Sequence, residues 1–135
     1  MEKKNIDWSS IGFSYMPTDY RYVSNFKDGK WDEGTLSTDP NIVLNECAGV
    51  LQYSQSVFEG LKAYTTEDGR IVTFRPDLNA ERIAASAARL EMPVFPKERF
   101  IDAVNQVVKA NAAWVPPYAQ VQHFTFALTC LVPTL

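Results

Sequence analysis

The chain has 135 residues, of which 46% are hydrophobic and 13% aromatic, and its formal net charge is −3. This composition is typical of a globular protein with one modest core and excludes a disordered chain. The acidic balance gives no reason to expect a nucleic-acid partner, and no apolar run approaches the roughly 18 residues that a membrane span requires.

The first ten residues lack the apolar stretch of a secretory signal, so we expect a cytoplasmic protein. Cys47 and Cys130 stand apart, without metal-binding or redox spacing. We expect both to be free thiols, although the sequence leaves a disulfide between them open. His123 is the only histidine, which excludes a metal site built from several histidines, and we expect no metal.

Two hairpins are predicted in the first half of the chain. Residues 20–26 alternate loosely and are rich in aromatic and β-branched side chains, and Asp28-Gly29 supplies a tight turn after them. In the second hairpin, Leu61 to Thr65 and Ile71 to Phe74 are the strands. The Asp68-Gly69 pair between them offers the positive φ angles that a two-residue turn needs.

A first helix is predicted directly after the second hairpin. Pro76 and Asp77 favour a helix start, and the alanine-rich segment NAERIAASAARL continues the helix until Pro93 ends it. Its apolar face is formed by Ile83, Ala87 and Leu90.

A second helix is predicted from Pro96 to the Pro116-Pro117 stop. It is amphipathic, and its buried stripe consists of Phe100, Ile101, Val104, Val107, Val108 and Trp114. Strands followed by two paired helices predict an α+β fold.

The residues alone give weak functional predictions. Arg82 lies in the first turns of a helix, where a guanidinium can bind a phosphate, but solvated surface arginines are more common. Tyr53, Phe58 and Tyr64 are consistent with a pocket, although aromatic side chains more often form the core. We interpret Glu59-Gly60 as the end of a helix or turn before a strand.

Two other ionisable side chains offer alternatives. Glu59 is a conceivable general base, but nothing in the sequence indicates a perturbed pKa, so a structural role is favoured. Lys62 lies in a predicted strand, where an isolated lysine is more often exposed than reactive.

Several motifs together change these interpretations. The chain contains Q-S-V-F-E-G-L-K-A-Y, then an Asp-Gly hairpin, F-R-P-D-L-N-A-E-R and W-V-P-P-Y. Over residues 10 to 118 it resembles the front half of a branched-chain amino acid aminotransferase, an enzyme of PLP-dependent fold type IV. The resemblance implies that residues 1–118 form the small N-terminal domain, an α/β sandwich, and that the large domain with the catalytic lysine is absent.

The resemblance also assigns roles to individual residues. Arg82 corresponds to the arginine that holds the phosphate of pyridoxal phosphate (PLP). Tyr53 and Phe58 correspond to walls of the pocket for the branched side chain, and Phe13 corresponds to a further wall. No catalytic residue is expected in this chain, and PLP is expected to bind weakly or not at all.

The intact enzyme implied by this family interconverts Leu, Ile or Val and their 2-oxo acids, with 2-oxoglutarate accepting the amino group. It is expected to be a homo-oligomer without a membrane partner. One alternative is an inactive remnant, or an interaction domain that pairs with an intact subunit. A second is another enzyme of the same fold type, such as D-amino acid aminotransferase or aminodeoxychorismate lyase.

The tail, residues 119–135, does not resemble the family in this reading frame. Codons that encode it regroup, when one G is inserted after Tyr118, to give G-T-S-A-A-L-Y-I-R-P-Y-L, which is similar to the expected continuation. We therefore expect a frameshifted tail in which His123, Cys130 and Pro133 have no selected role. The alternative is an ordinary terminal strand, because HFTFALTCLV is apolar and rich in β-forming residues.

Overall fold

An antiparallel sheet of three strands is the centre of the fold and carries Phe58. The computed structural model describes residues 2–12, 15–119 and 124–131. Strand β5 (Ser56–Thr65) is central, between β6 (Ile71–Thr73) and β7 (Phe124–Leu131), and both neighbours run antiparallel to it. β7 lies within the apolar, β-forming segment HFTFALTCLV of the tail.

Two helices cover one face of this sheet. They are α2 (Pro76–Arg89) and α3 (Lys97–Ala110), and they begin where the prolines predict. Alternate β5 side chains point toward them and are buried, and the core consists of Val57, Leu61, Ala63, Ala80, Ile83, Ala87, Met92, Phe100, Val104, Val108 and Val115. A sheet covered by two helices is the α+β architecture that the sequence predicts.

Smaller elements precede the sheet. They are β1 (Arg21–Val23), β2 (Phe26–Lys27), β3 (Lys30–Trp31), β4 (Thr35–Ser37), the short helix α1 (Gly49–Tyr53) and a 3-10 turn at Trp8–Ser10. β2 and β3 form the predicted Asp28-Gly29 hairpin, in which both turn residues have positive φ angles of 52° and 78°. The other two strands, β1 and β4, form a separate antiparallel pair.

The predicted strand over residues 20–26 is wrong in one respect, because it is divided into β1 and β2. Asp32 causes the interruption by accepting hydrogen bonds from the backbone and side chain of Asn25, at 3.0 and 2.9 Å, and from the Ser24 hydroxyl at 2.9 Å. The bonds from Asn25, followed by that from Ser24, lower the pKa of the Asp32 carboxyl to about 2. Side-chain bonds to the backbone replace strand pairing at this point.

The second hairpin also differs from its prediction. β5 starts at Ser56 rather than Leu61, so Glu59-Gly60 lies inside the strand and not at the end of a helix or turn. Its turn is longer than two residues, because β5 ends at Thr65 and β6 begins at Ile71, and only Gly69 has a positive φ, at 81°. Hydrogen bonds from the Thr66 amide to Arg70 O and from the Gly69 amide to Thr66 O close it.

The second helix is shorter than predicted. α3 ends at Ala110, and a separate 3-10 turn, Ala112–Trp114, follows it. Between them lies Asn111, which is fully buried and bonds to both the amide and the carbonyl of Tyr20, at 3.0 and 2.8 Å. Asn111 therefore ties the start of β1 to the end of α3. In α2, the predicted apolar face is confirmed for Ile83 and Ala87, whereas Leu90 is 40% exposed at the C-cap.

Candidate functional site

A bidentate ion pair joins the central strand to the first covering helix. Arg82, in the second turn of α2, donates from Nε to Glu59 Oε2 at 3.0 Å and from Nη2 to Glu59 Oε1 at 2.8 Å. Glu59 occupies one of the inward positions of β5 and is only 8% exposed. The inward carboxylate thus receives a cation from the helix that covers it.

Two further donors hold the same carboxylate. Asn79, which is also buried, donates from Nδ2 to Glu59 Oε1 at 2.9 Å and to the Gly60 carbonyl at 3.0 Å. The Gly60 amide donates to Glu59 Oε1 at 3.1 Å. Asn79 lies one turn before Arg82, so N-A-E-R places both donors on the same side of α2.

The charges of the pair stabilise each other. Burial raises the pKa of the Glu59 carboxyl, but the hydrogen bonds from Arg82 and Asn79, with the charge of Arg82, outweigh burial and lower that pKa overall. In turn, the hydrogen bond from Arg82 to Glu59 raises the pKa of the guanidinium. Glu59 is therefore an ionised, fully engaged carboxylate at neutral pH and not a free general base.

Arg82 remains accessible although it is paired. Its side chain is 61% exposed, whereas that of Glu59 is 9% exposed. A guanidinium has five N–H donors in a planar fork, and the bonds to Glu59 use two of them. The remaining donors can bind an anion that approaches from solvent, so the residue fits a phosphate ligand.

Tyr53 and Phe58 do not belong to the core. Tyr53 is the last residue of α1 and is 73% exposed, and Phe58 is 67% exposed. Phe58 lies on the sheet face opposite Glu59, because neighbouring strand residues point to opposite faces. Among the described residues, no hydrogen bond or ring contact joins Tyr53, Phe58 or Arg82 to one another.

The sheet face that carries Phe58 is open. Tyr64 and Val72 are register partners on β5 and β6, and they are 41% and 37% exposed. Phe74, directly after β6, is 81% exposed. Lys62 lies on the same face of β5 and is exposed, as the sequence predicts for an isolated strand lysine. Phe13, the fourth predicted site residue, lies outside the described residues.

The sequence alone could have revealed the pairing of Glu59 and Arg82 only in part. Once β5 is extended to Ser56, Glu59 alternates with Val57, Leu61 and Ala63, and a carboxylate in an inward position requires a buried partner. No sequence pattern indicates the contact of Asn79 with Glu59. No group of three metal-binding side chains occurs in the described part of the chain, and none of its helices is long and apolar enough to cross a membrane.

No family model matches the chain. A branched-chain-amino-acid aminotransferase of Haemophilus influenzae is 52% identical to it over 115 residues, which cover 85% of this chain and 34% of the relative. The corresponding protein of Helicobacter pylori is 44% identical over 115 residues, with the same coverage. A methionine aminotransferase of Arabidopsis thaliana is 46% identical over 84% of this chain and 32% of the relative. The chain thus spans about a third of the length of these relatives.

Solved structures show the same fold. A branched-chain amino acid aminotransferase of Escherichia coli superposes with a TM-score of 0.62 at 21% identity, over 86% of this chain and 33% of that one. A branched-chain aminotransferase of Thermoproteus uzoniensis gives a TM-score of 0.54 at 20% identity, over 84% and 41%. The described fold therefore matches the N-terminal domain of these enzymes.

Proposed function

Because this chain is homologous to branched-chain aminotransferases over 85% of its length, we propose that it is the small N-terminal domain of such an enzyme. The complete enzyme transfers the amino group of Leu, Ile or Val to 2-oxoglutarate. The exposed guanidinium of Arg82, which is held on Glu59, is the structural observation that carries the proposal.

Arg82 binds the phosphate of PLP in this proposal. When bound, PLP supplies the electron sink for amino-group transfer, while the protein orients the reactants. The N–H donors of Arg82 that do not contact Glu59 fit phosphate oxygens, and the start of α2 adds a favourable dipole for an anion.

Tyr53 and Phe58 line the pocket for the substrate side chain, together with Phe13. The high exposure of the first two supports this role, because large aromatic side chains that contribute nothing to the core are available to a ligand or to another domain. Apolar walls suit the side chains of Leu, Ile and Val. One relative is a methionine aminotransferase, and we therefore include other apolar amino acids among the proposed alternative substrates.

Phosphate recognition by Arg82 can be measured without any transamination. Pyridoxine 5′-phosphate and pyridoxine differ only in the phosphate, and neither has an aldehyde that reacts with surface lysines. NMR titration of the chain should show stronger binding of the phosphorylated compound. Arg82→Gln should reduce the ratio of the two affinities by about tenfold or more. Arg70→Gln is the matched control, because Arg70 pairs with Asp68 at an exposed turn. Equal preference in wild type and Arg82→Gln would contradict the proposal.

The chain by itself should have no transaminase activity, since the family's catalytic lysine belongs to the part of the enzyme that this chain does not span. Glutamate formation from leucine and 2-oxoglutarate measures this directly. Sustained turnover by the purified chain would contradict its assignment to the small domain.

An interaction domain or inactive remnant is the second candidate, and the open sheet face favours it. Phe58, Tyr64 and Phe74 expose apolar surface that a separate subunit can cover. Co-purification with a full-length aminotransferase subunit is the expected result, whereas a monodisperse monomer in the presence of that subunit argues against this candidate.

We also propose that residues 119–135 are a frameshifted tail. The match with the Haemophilus influenzae relative includes 115 of the 135 residues, which leaves room for an unrelated tail of this size. Sequencing the gene is the test. A lysine-bearing domain encoded in a shifted frame is expected, and its absence would overturn this part of the proposal.

A further inference from the structure

We propose that Glu59 is a positioning residue, which holds the Arg82 guanidinium in one orientation so that its outer N–H donors meet a phosphate. This inference rests on the proposed role of Arg82. It adds a second residue to the phosphate site, one that never touches the ligand.

The need for a positioning group follows from the exposure of Arg82. Without a partner, a long side chain that is 61% exposed samples many rotamers, and binding an anion then costs the entropy of selecting one of them. The bidentate bonds to Glu59 through Nε and Nη2 define the plane of the guanidinium before any ligand arrives. The remaining donors then point in fixed directions.

Glu59 can impose this orientation because it is fixed itself. Its carboxylate accepts from Asn79 and from the Gly60 amide in addition to Arg82, and it lies inside the central strand. Of the five ion pairs in the described part of the chain, the other four have carboxylate side chains that are 34% to 58% exposed, against 9% for Glu59. An exposed carboxylate moves with its arginine, whereas a buried one anchors it.

A competing interpretation predicts the opposite effect. Glu59 neutralises Arg82, and its negative charge repels an approaching phosphate. If this repulsion dominated, the isosteric change Glu59→Gln would strengthen phosphate binding. If positioning dominates, the same change weakens binding although the site becomes more positive. The direction of the change therefore decides between the two interpretations.

The first experiment observes the orientation of Arg82 directly. In wild type, the Nε–H of Arg82 should give a distinct NMR signal that exchanges slowly with water, and Glu59→Gln should abolish both properties. Asp77→Asn is the matched control, because Asp77 forms a similar bidentate pair with Arg75 but is more exposed. A freely exchanging Arg82 signal in wild type overturns the proposal without any variant.

The second experiment uses pyridoxine 5′-phosphate and pyridoxine as probes. Glu59→Gln should bind the phosphorylated compound about fivefold more weakly, equivalent to about 1 kcal/mol, with pyridoxine binding unchanged. Asp77→Asn should behave as wild type. Unchanged or tighter binding in Glu59→Gln overturns the positioning role. If Arg82→Gln binds pyridoxine 5′-phosphate as well as wild type does, the proposed phosphate-binding role of Arg82 fails. If Arg82→Gln loses binding and Glu59→Gln does not, the role of Arg82 stands and only the positioning role of Glu59 is overturned.

Discussion

A single charged residue in the inward row of β5 explains much of the site. Burying a carboxylate without partners costs several kcal/mol, and Glu59 avoids this cost because Arg82, Asn79 and Gly60 supply four hydrogen bonds. Such a pair need not stabilise the fold relative to apolar side chains, but removing one partner leaves the other uncompensated. Glutamine has nearly the same shape as glutamate, so Glu59→Gln is the least disruptive substitution that removes the charge.

The stability contributed by Glu59 should depend on pH. Its pKa is lower in the folded chain than in the unfolded chain, so the stabilisation is complete above the unfolded pKa of about 4.3 and is lost as the pH falls through the lower folded value. Urea unfolding at pH 7 and pH 3 measures this. Wild type should exceed Glu59→Gln in unfolding free energy at pH 7, and the difference should shrink at pH 3.

Other carboxylates with lowered pKa values, such as Asp32 and Asp77, are present in both proteins and cancel in that difference. Glu67→Gln, at the exposed turn between β5 and β6, serves as the matched control and leaves the buried pair intact. A difference between wild type and Glu59→Gln that stayed constant from pH 7 to pH 3 would contradict the assignment of the lowered pKa to Glu59.

At the scale of elements, the sequence predicts helices better than it predicts strand ends. The prolines and the 3.6-residue spacing locate the starts of α2 and α3, because both signals act within the helix itself. The division of β1 from β2 depends on the Asp32 side chain, seven residues after Asn25, and the early start of β5 depends on its pairing with β7, from Ser56↔Leu131 onward. Local patterns cannot show such partners.

The same limit applies to the candidate site. Motif resemblance indicates Arg82, Tyr53 and Phe58, but the sequence alone did not identify Asn79 or the pairing of Glu59 with the helix. These contacts exist only once α2 lies against β5.

The connection between α3 and β1 depends on Asn111 and should be sensitive to its side chain. Asn111→Ala leaves the amide and carbonyl of Tyr20 without their partners, which should lower the unfolding free energy by about 2 kcal/mol. Chemical denaturation provides the measurement. Asn105→Ala, at an exposed position of α3, should change the unfolding free energy by less than about 0.5 kcal/mol. Equal effects of the two substitutions would argue against this connection.

At the scale of the whole molecule, the sheet is completed by the last described segment of the chain. β7 pairs with β5 along eight residues, from Ser56↔Leu131 to Ala63↔Phe124. A chain that stops at Tyr118 should retain α2 and α3 but lose this pairing. Hydrogen exchange should then accelerate at the amides of residues 57–63, and those of Tyr64 and Thr65, which pair with β6, should change less. Unchanged exchange along β5 would show that β7 contributes nothing in solution.

The position of β7 also determines the order in which the molecule can assemble. β5 can meet β6 and α2 as soon as these segments leave the ribosome, whereas its other edge waits until Phe124, 61 residues after its register partner Ala63, has been made. During that interval one edge of the central strand has no partner strand. Synthesis rate and chaperone access, rather than final stability alone, should therefore influence how much of the chain reaches its folded state.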